Sequence, residues 1–157
     1  MNDEKHQMIY TLDCRVGDKK ITQPPFPMEE QGLQKERLQC NSYYFIRNGR
    51  PFFLIAGEIH FTRIDPSAWE DALIKMKMGG VNTISTYVFW IHHEEIEGEF
   101  RWNENRDLRT FLKLCHKHGL YAIVRIGPYC HGECYNGGLP EWLYGKPFPV
   151  RCNDPGY

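Results

Sequence analysis

Histidines, glutamates and aromatic residues are concentrated in three segments of the sequence, each directly after a β-prone run. The segments are residues 57–60, 87–95 and 127–135. Carboxylates accept hydrogen bonds from hydroxyl groups, imidazoles titrate near neutral pH, and aromatic residues line sites that bind flat apolar faces such as those of sugars. These residue types favour a site that binds a polyol or a sugar, with a metal site as the weaker alternative.

The segment at 127–135 gives the sharpest signal because its carboxylate lies among glycines. Glu133 stands between Gly132 and Cys134. A glycine-rich backbone approaches a ligand closely, although the same glycines also suit simple turns. The other candidates have structural interpretations as well: Glu58 as an ion-pair partner of Arg63, and the histidines at 92 and 93 as a solvated pair in a loop.

Six cysteines are irregularly spaced, at positions 14, 40, 115, 130, 134 and 152. The chain is too long and too apolar for a small disulfide scaffold, so we interpret most of them as reduced thiols. The alternative is a zinc site formed by Cys130, Cys134 and nearby histidines. A metal-dependent hydrolase would use His60, His92, His131 and Cys130.

Periodicity predicts an α/β chain from residue 41 onwards. Asn48-Gly49 separates β-prone runs at 43–47 and 51–55, which is typical of a hairpin. The second run stays apolar to Glu58, as in a strand buried on both faces. Further strands are predicted at 82–90 and 120–126, and helices at 68–78 and 105–118. This alternation predicts a parallel sheet, with ligands at the carboxyl ends of the strands.

The flanking regions are less regular. Before the hairpin we predict a strand at 10–16, an extended proline-rich stretch at 23–27, and a loop or short helix at 28–39. We treat residues 1–40 as an N-terminal extension and 41–157 as the main domain. After the third strand, a loop at 127–138 leads to a short amphipathic piece at 139–144.

Composition excludes several classes of protein. The chain has 157 residues, a formal net charge of −1, 41% hydrophobic and 25% charged residues. These values fit a globular domain rather than a disordered, collagen-like or coiled-coil chain, and the charge gives no reason to expect a nucleic acid or membrane partner. Phosphate-binding and nucleophile-elbow motifs are missing from the sequence. The chain as given lacks a visible signal peptide and is predicted to be cytoplasmic, or secreted or periplasmic if a signal was removed.

Five blocks of sequence together resemble a known family. They are GEIHFTRI (57–64), WEDALIKMKMGGVNTISTYVFW (69–90), HEEIEGEF (93–100), RDLRTFLKLCHKHGLYAIVRIGPY (106–129) and GGLPEWL (137–143). In this order they resemble the N-terminal part of glycoside hydrolase family 35, the β-galactosidase family, over about residues 42–157.

The resemblance implies a (β/α)8 barrel, of which this chain supplies about three βα units after a short hairpin extension. It also implies a retaining exo-glycosidase with two catalytic glutamates, a galactoside or related glycan as substrate, and no cofactor. In the family the acid/base follows an Asn after the fourth strand and the nucleophile ends the seventh, so both are expected beyond Tyr157. Asn103-Glu104 lies before the second helix and does not match that motif.

The resemblance assigns binding roles to four residues. Glu133 matches a glutamate that binds sugar hydroxyls, Tyr87 matches a tyrosine that contacts the galactose ring, and Cys130 and Gly132 match positions that contribute backbone groups. The loop departs from the family pattern, because C-H-G-E-C at 130–134 replaces I-C-A-E-W, and Ile91 replaces an Asn. An arabinoside or a galactose within a plant glycan is therefore an alternative substrate, and a non-catalytic sugar-binding module using Tyr87, Trp90 and Glu133 is an alternative function.

Overall fold

The computed structural model describes residues 17, 20–23, 29–31 and 36–157. The chain divides into two compact units, residues 1–53 and 54–157. The predicted strand at 10–16 and most of the predicted extended stretch at 23–27 lie outside the described residues. Within the described part of the chain, every helix is too short or too polar to cross a lipid bilayer.

The first unit contains an antiparallel sheet of four strands in sequential order: β1 (Glu29–Gln31), β2 (Arg37–Cys40), β3 (Phe45–Arg47) and β4 (Arg50–Phe52). The predicted hairpin is confirmed, since Asn48 and Gly49 both have positive φ, as a tight turn between twisted strands requires. The prediction of a loop or short helix at 28–39 is wrong, because β1 and most of β2 lie there. Pairing with β3 outweighs the weak β propensity of this polar segment.

The second unit contains a parallel sheet with the order β5 (Ala56–Glu58), β6 (Thr83–Tyr87) and β7 (Tyr121–Arg125). Helix α1 (Trp69–Met78) connects β5 to β6. Helices α2 (Trp90–His93) and α3 (Leu108–Lys117) lie between β6 and β7. After β7, the described chain has two 3-10 turns, Tyr135–Gly138 and Glu141–Gly145, and no α-helix. Two of the three predicted strand–helix units are thus complete here.

The predicted apolar strand at 52–58 is wrong. Strand β4 ends at Phe52 and β5 begins at Ala56, with Phe53 76% and Ile55 47% exposed between them. Burial on both faces is also wrong for β7, where Ala122 and Ile123 are exposed. Within the described parallel sheet, β6 alone has a strand on each side, and all of its residues except Ser85 are buried.

The core of the second unit lies between this sheet and the two longer helices. Trp69 and Leu73 of α1, together with Phe111 of α3, are at most 1% exposed and pack in one cluster with Ile84 of β6. The indole N–H of Trp69 donates to the Phe61 carbonyl at 3.0 Å, which satisfies the only polar group of this buried ring. The apolar residues spaced at helical intervals thus lie on the buried face of each helix.

Helix α3 begins later than the predicted residue 105 because Asp107 caps it. The Asp107 carboxylate accepts hydrogen bonds from the Thr110 backbone N–H at 2.9 Å and the Thr110 hydroxyl at 2.6 Å. These bonds lower the pKa of Asp107, with the hydroxyl bond as the largest cause.

Asn82 connects the amino-terminal ends of the three parallel strands. Its side-chain oxygen accepts from the Ile55 N–H and the Thr83 hydroxyl, both at 2.9 Å. Its backbone N–H donates to the Ile55 carbonyl at 3.1 Å, and its own carbonyl accepts from the Tyr121 N–H at 2.9 Å. One residue thereby aligns the entry points of β5, β6 and β7.

Replacing Asn82 with Ala should destabilise the fold by about 1 kcal/mol, because the Ile55 N–H and the Thr83 hydroxyl lose their shared acceptor. Urea unfolding followed by circular dichroism measures this change. Asn153→Ala, at an exposed position of the C-terminal segment, is the control and should leave the midpoint unchanged. Equal midpoints for both variants would show that the side chain of Asn82 does not hold the strands together.

Candidate functional site

Three side chains from neighbouring strand ends meet at one edge of the parallel sheet. Glu58, Tyr87 and Arg125 are the last residues of β5, β6 and β7, and the register pairs Tyr87 directly with Arg125. Arg125 Nη2 lies 2.5 Å from Glu58 Oε2, and the guanidinium carbon lies 3.6 Å from the centroid of the Tyr87 ring. The carboxyl ends of the strands therefore converge as the sequence predicts.

His60 joins this group as a neutral imidazole. Its Nδ1 accepts a long hydrogen bond of 3.5 Å from the Tyr87 backbone N–H, and its Nε2 lies 3.1 Å from Glu58 Oε1. An Nδ1 that accepts carries no proton, so Nε2–H donates to Glu58. Burial is the main reason that the pKa of His60 is lowered; Arg63 and Arg125 lower it further, while Glu58 raises it.

The ring of Tyr87 is 9% exposed and is surrounded by other groups. Arg125 covers it as a cation–π partner, and the rings of His60 and Phe89 have centroids 5.5 and 5.6 Å away. The ring is therefore a poor platform for stacking a ligand. Its hydroxyl makes no hydrogen bond to any other described residue, so it is the part of Tyr87 that can bind a polar ligand.

The loop after β7 packs closely on Tyr87 and Phe89. Cys130 is 1% exposed and packs with these two rings, and its N–H donates to the Gly137 carbonyl at 2.7 Å. A Cβ on Gly132 would lie 3.1 Å from Phe89 and 3.2 Å from Tyr87, so this approach depends on the missing side chain. Burial raises the pKa of the Cys130 thiol, and nearby Cys134 adds to the effect.

Glu133 is exposed at the rim of this loop, and its φ of +51° places it in the left-handed region. Arg63, which follows β5, donates from Nη2 to the Gly132 carbonyl and, at 3.1 Å, to the Glu133 carbonyl. The interpretation of Glu58 as a partner of Arg63 is therefore wrong, since Glu58 pairs with Arg125 and His60. No local pattern marks Arg63, because the carbonyls it binds lie 69 and 70 positions away.

The predicted metal ligands do not come together. Among the described residues, no group of three or more His, Cys, Asp or Glu side chains is placed to hold a metal ion. His92 Nδ1 instead lies 3.2 Å from the Thr62 hydroxyl, and His131 is exposed. Cys115, Cys130, Cys134 and Cys152 are thiols, as predicted. The geometry gives no support to a zinc site.

The pair of histidines at 92 and 93 is not a solvated loop pair. His93 is 2% exposed, its Nδ1 lies 2.9 Å from the Arg101 carbonyl, and its ring stacks on Trp102 with centroids 4.2 Å apart. Its Nε2 is buried without a hydrogen-bond partner among the described residues. Burial is the largest cause of the lowered pKa of both histidines.

The sequence model of the family described as Glycosyl hydrolases family 35 matches residues 44–157. The chain belongs to this family. The match confirms the resemblance predicted for residues 42–157 and places both the parallel sheet and the strand-end residues inside the family 35 region.

Relatives in family 35 support the same assignment. The chain is 46% identical to a β-galactosidase of Macaca fascicularis over 114 residues, which cover 72% of this chain and 17% of the relative. It is 46% identical to a β-galactosidase of Mus musculus over 151 residues, covering 96% and 22%, respectively. It is 43% identical to a β-galactosidase of Xanthomonas manihotis over 114 residues, covering 72% and 19%. The chain thus spans about a fifth of the length of these relatives.

The electrostatic environment of His60 leads to a prediction of opposite shifts. Glu58→Gln should lower the pKa of His60 further, because it removes the charge that stabilises the imidazolium. Arg125→Gln should raise it, because it removes a repulsive charge and leaves Glu58 without its arginine. NMR titration of the His60 ring measures both shifts. Shifts of the same sign would show that these two charges do not act on His60 as the geometry indicates.

Lowered histidine pKa values also predict a pH dependence of stability. His60, His92 and His93 bind a proton less readily in the folded state than in the unfolded state. The unfolded state therefore takes up more protons as the pH falls below the ordinary histidine value of about 6.5, and the free energy of unfolding should decrease there. The urea midpoint of unfolding should therefore decrease as the pH is lowered from about 7.5 to about 5.5. A constant midpoint would contradict the burial of neutral imidazoles.

Proposed function

We propose that the full-length protein is a retaining exo-glycosidase that hydrolyses terminal β-galactosides or a related pyranoside. Residues 41–157 would form the N-terminal part of its (β/α)8 barrel, with residues 1–40 as an extension. Three observations support this: membership of family 35, relatives named β-galactosidase, and parallel strands whose carboxyl ends carry the candidate residues. Ligands bind at that end of the strands in barrels of this kind.

The proximity of Tyr87 to the Glu133 loop carries the proposal. A Cβ on Gly132 would lie 3.2 Å from Cδ2 of the Tyr87 ring, so the loop that carries Glu133 packs against the edge of this ring. A carboxylate accepts hydrogen bonds from two sugar hydroxyls, and a phenol both donates and accepts. We assign Glu133 and Tyr87 to binding the sugar, and Cys130 and Gly132 to presenting backbone groups beside it.

The hydrolytic step needs two further carboxyl groups. In a retaining mechanism, one protonates the leaving oxygen and the other attacks the anomeric carbon, at a separation of about 5–5.5 Å. Glu58 does not fit either role, because it is held between Arg125 and His60. Following the pattern of the family, we place the acid/base and the nucleophile beyond Tyr157. The half of the pocket described here would bind and orient the sugar.

The identity of the sugar can be tested directly. A β-galactoside and an α-L-arabinopyranoside share the same ring hydroxyls, and only the galactoside carries the exocyclic CH2OH group. Hydrolysis of p-nitrophenyl derivatives of both, beside a β-glucoside with an inverted C4 hydroxyl, would distinguish a galactosidase from a broader enzyme. Binding of galactose by calorimetry without hydrolysis of any of these substrates would support the sugar-binding module instead.

Glu133→Gln should lower kcat/KM of the full-length enzyme about 10- to 100-fold, because a charged hydrogen bond to the sugar contributes roughly 1.5–3 kcal/mol. Steady-state kinetics with the best p-nitrophenyl substrate measure the change. Glu99→Gln is a matched control, since Glu99 is also exposed and its carboxylate lies 3.9 Å from Arg101 in the described part of the chain. Equal kinetics for both variants would remove Glu133 from the binding site.

A further inference from the structure

Arg63 projects from a rigid base. It ends the 3-10 turn Phe61–Arg63, in which Phe61 is 0% and Thr62 is 5% exposed. The backbone N–H of Arg63 donates to the His60 carbonyl at 2.9 Å, and the Asn105 side chain donates to the Thr62 carbonyl at 2.7 Å. The origin of the Arg63 side chain is therefore fixed by buried residues and by hydrogen bonds to the backbone.

The guanidinium of Arg63 binds both peptide groups that flank the α-carbon of Glu133. One Nη2 atom donates to the carbonyl of Gly132, which precedes Glu133, and to the carbonyl of Glu133 itself at 3.1 Å. The guanidinium carbon also lies 4.9 Å from the centroid of the buried Phe89 ring, within cation–π range. Arg63 thus connects the turn after β5, the end of β6 and the loop after β7.

Glu133 needs such support because its backbone is strained. A non-glycine residue in the left-handed region costs about 1–3 kcal/mol and is maintained only by its surroundings. The side chain of Glu133 contacts no other described residue through a hydrogen bond or an ion pair. Within the described residues, the two carbonyl contacts from Arg63 are the side-chain hydrogen bonds that act on this strained segment.

We infer that Arg63 is a positioning residue that holds Glu133 in its left-handed conformation and thereby sets the direction of its carboxylate toward the substrate. The inference rests on the proposed function. Arg63 binds the backbone of the loop, and Glu133 is the residue that contacts the sugar.

A double-mutant cycle in the full-length enzyme tests this role. Arg63→Gln should raise KM for the p-nitrophenyl galactoside about 5- to 10-fold, which is less than the effect of Glu133→Gln because the carboxylate itself is retained, with a smaller change in kcat. Arg63→Lys, which keeps the charge but loses the planar fork, should give an intermediate value. In the Glu133→Gln background, Arg63→Gln should have almost no further effect on KM, because its influence passes through Glu133.

Stability and a matched control complete the design. Arg109→Gln, at an exposed position of α3, should match the wild type. If Arg63→Gln also matches the wild type, or if it raises KM by the same factor with and without Glu133, the positioning role is refuted. An equal rise in KM with and without Glu133, together with a lower thermal midpoint of Arg63→Gln, would indicate a general structural defect. If the full-length wild type hydrolyses none of the substrates, both the proposed function and this role are refuted. If the wild type is active but Arg63→Gln gives either of the two results above, the role alone is refuted.

Discussion

The pairing of β6 with both β5 and β7 is the constraint on which the rest of the second unit depends. Of the three described parallel strands, β6 is the one with a partner on each side. Its register sets Tyr87 beside Arg125 and Ser85 beside Glu58. Parallel strands need crossover connections, and α1 and α3 in these connections pack against the sheet in one core cluster. Asn82 aligns one end of the strands, and the candidate residues occupy the other.

The charged residues at the carboxyl ends of the strands make different contacts. Arg125 neutralises Glu58 and covers the ring of Tyr87, so that only the tyrosine hydroxyl is left for a ligand. Arg63 binds carbonyl groups of the loop and leaves the Glu133 carboxylate exposed. Burial, together with the two arginines, lowers the pKa of His60, which disfavours a third positive charge here. The Glu133 carboxylate is thus exposed and makes no ion pair with any other described residue.

The parts of the fold that were predictable have local causes. The Asn48-Gly49 turn, the apolar spacing of α1 and α3, and the β-branched residues of β6 each specify their element within a few positions. By contrast, β1 and β2 are polar strands whose pairing partners decide their conformation, and the apolar run at 52–58 gives no sign of the break between β4 and β5. Long-range pairing explains both errors.

The candidate site was predictable to a similar degree. The rule that ligands bind at the carboxyl ends of parallel strands brings Tyr87 and the loop of Glu133 together, and the structure places them so. The carbonyl partner of Arg63 and the carboxylate partner of Arg125 were not predictable, because these two contacts join segments separated by more than sixty residues. The binding roles of Tyr87, Cys130, Gly132 and Glu133 stay predictions.

The loop after β7 is closed by its own backbone. The Cys130 N–H donates to the Gly137 carbonyl, and the Gly137 N–H donates to the Cys134 carbonyl at 3.0 Å. Neither bond uses a side chain at positions 131–135. Except for Gly132, whose packing on Phe89 and Tyr87 requires the absence of a side chain, these positions can change in evolution while the loop keeps its backbone hydrogen bonds. This short segment is therefore a place where a new binding preference can arise.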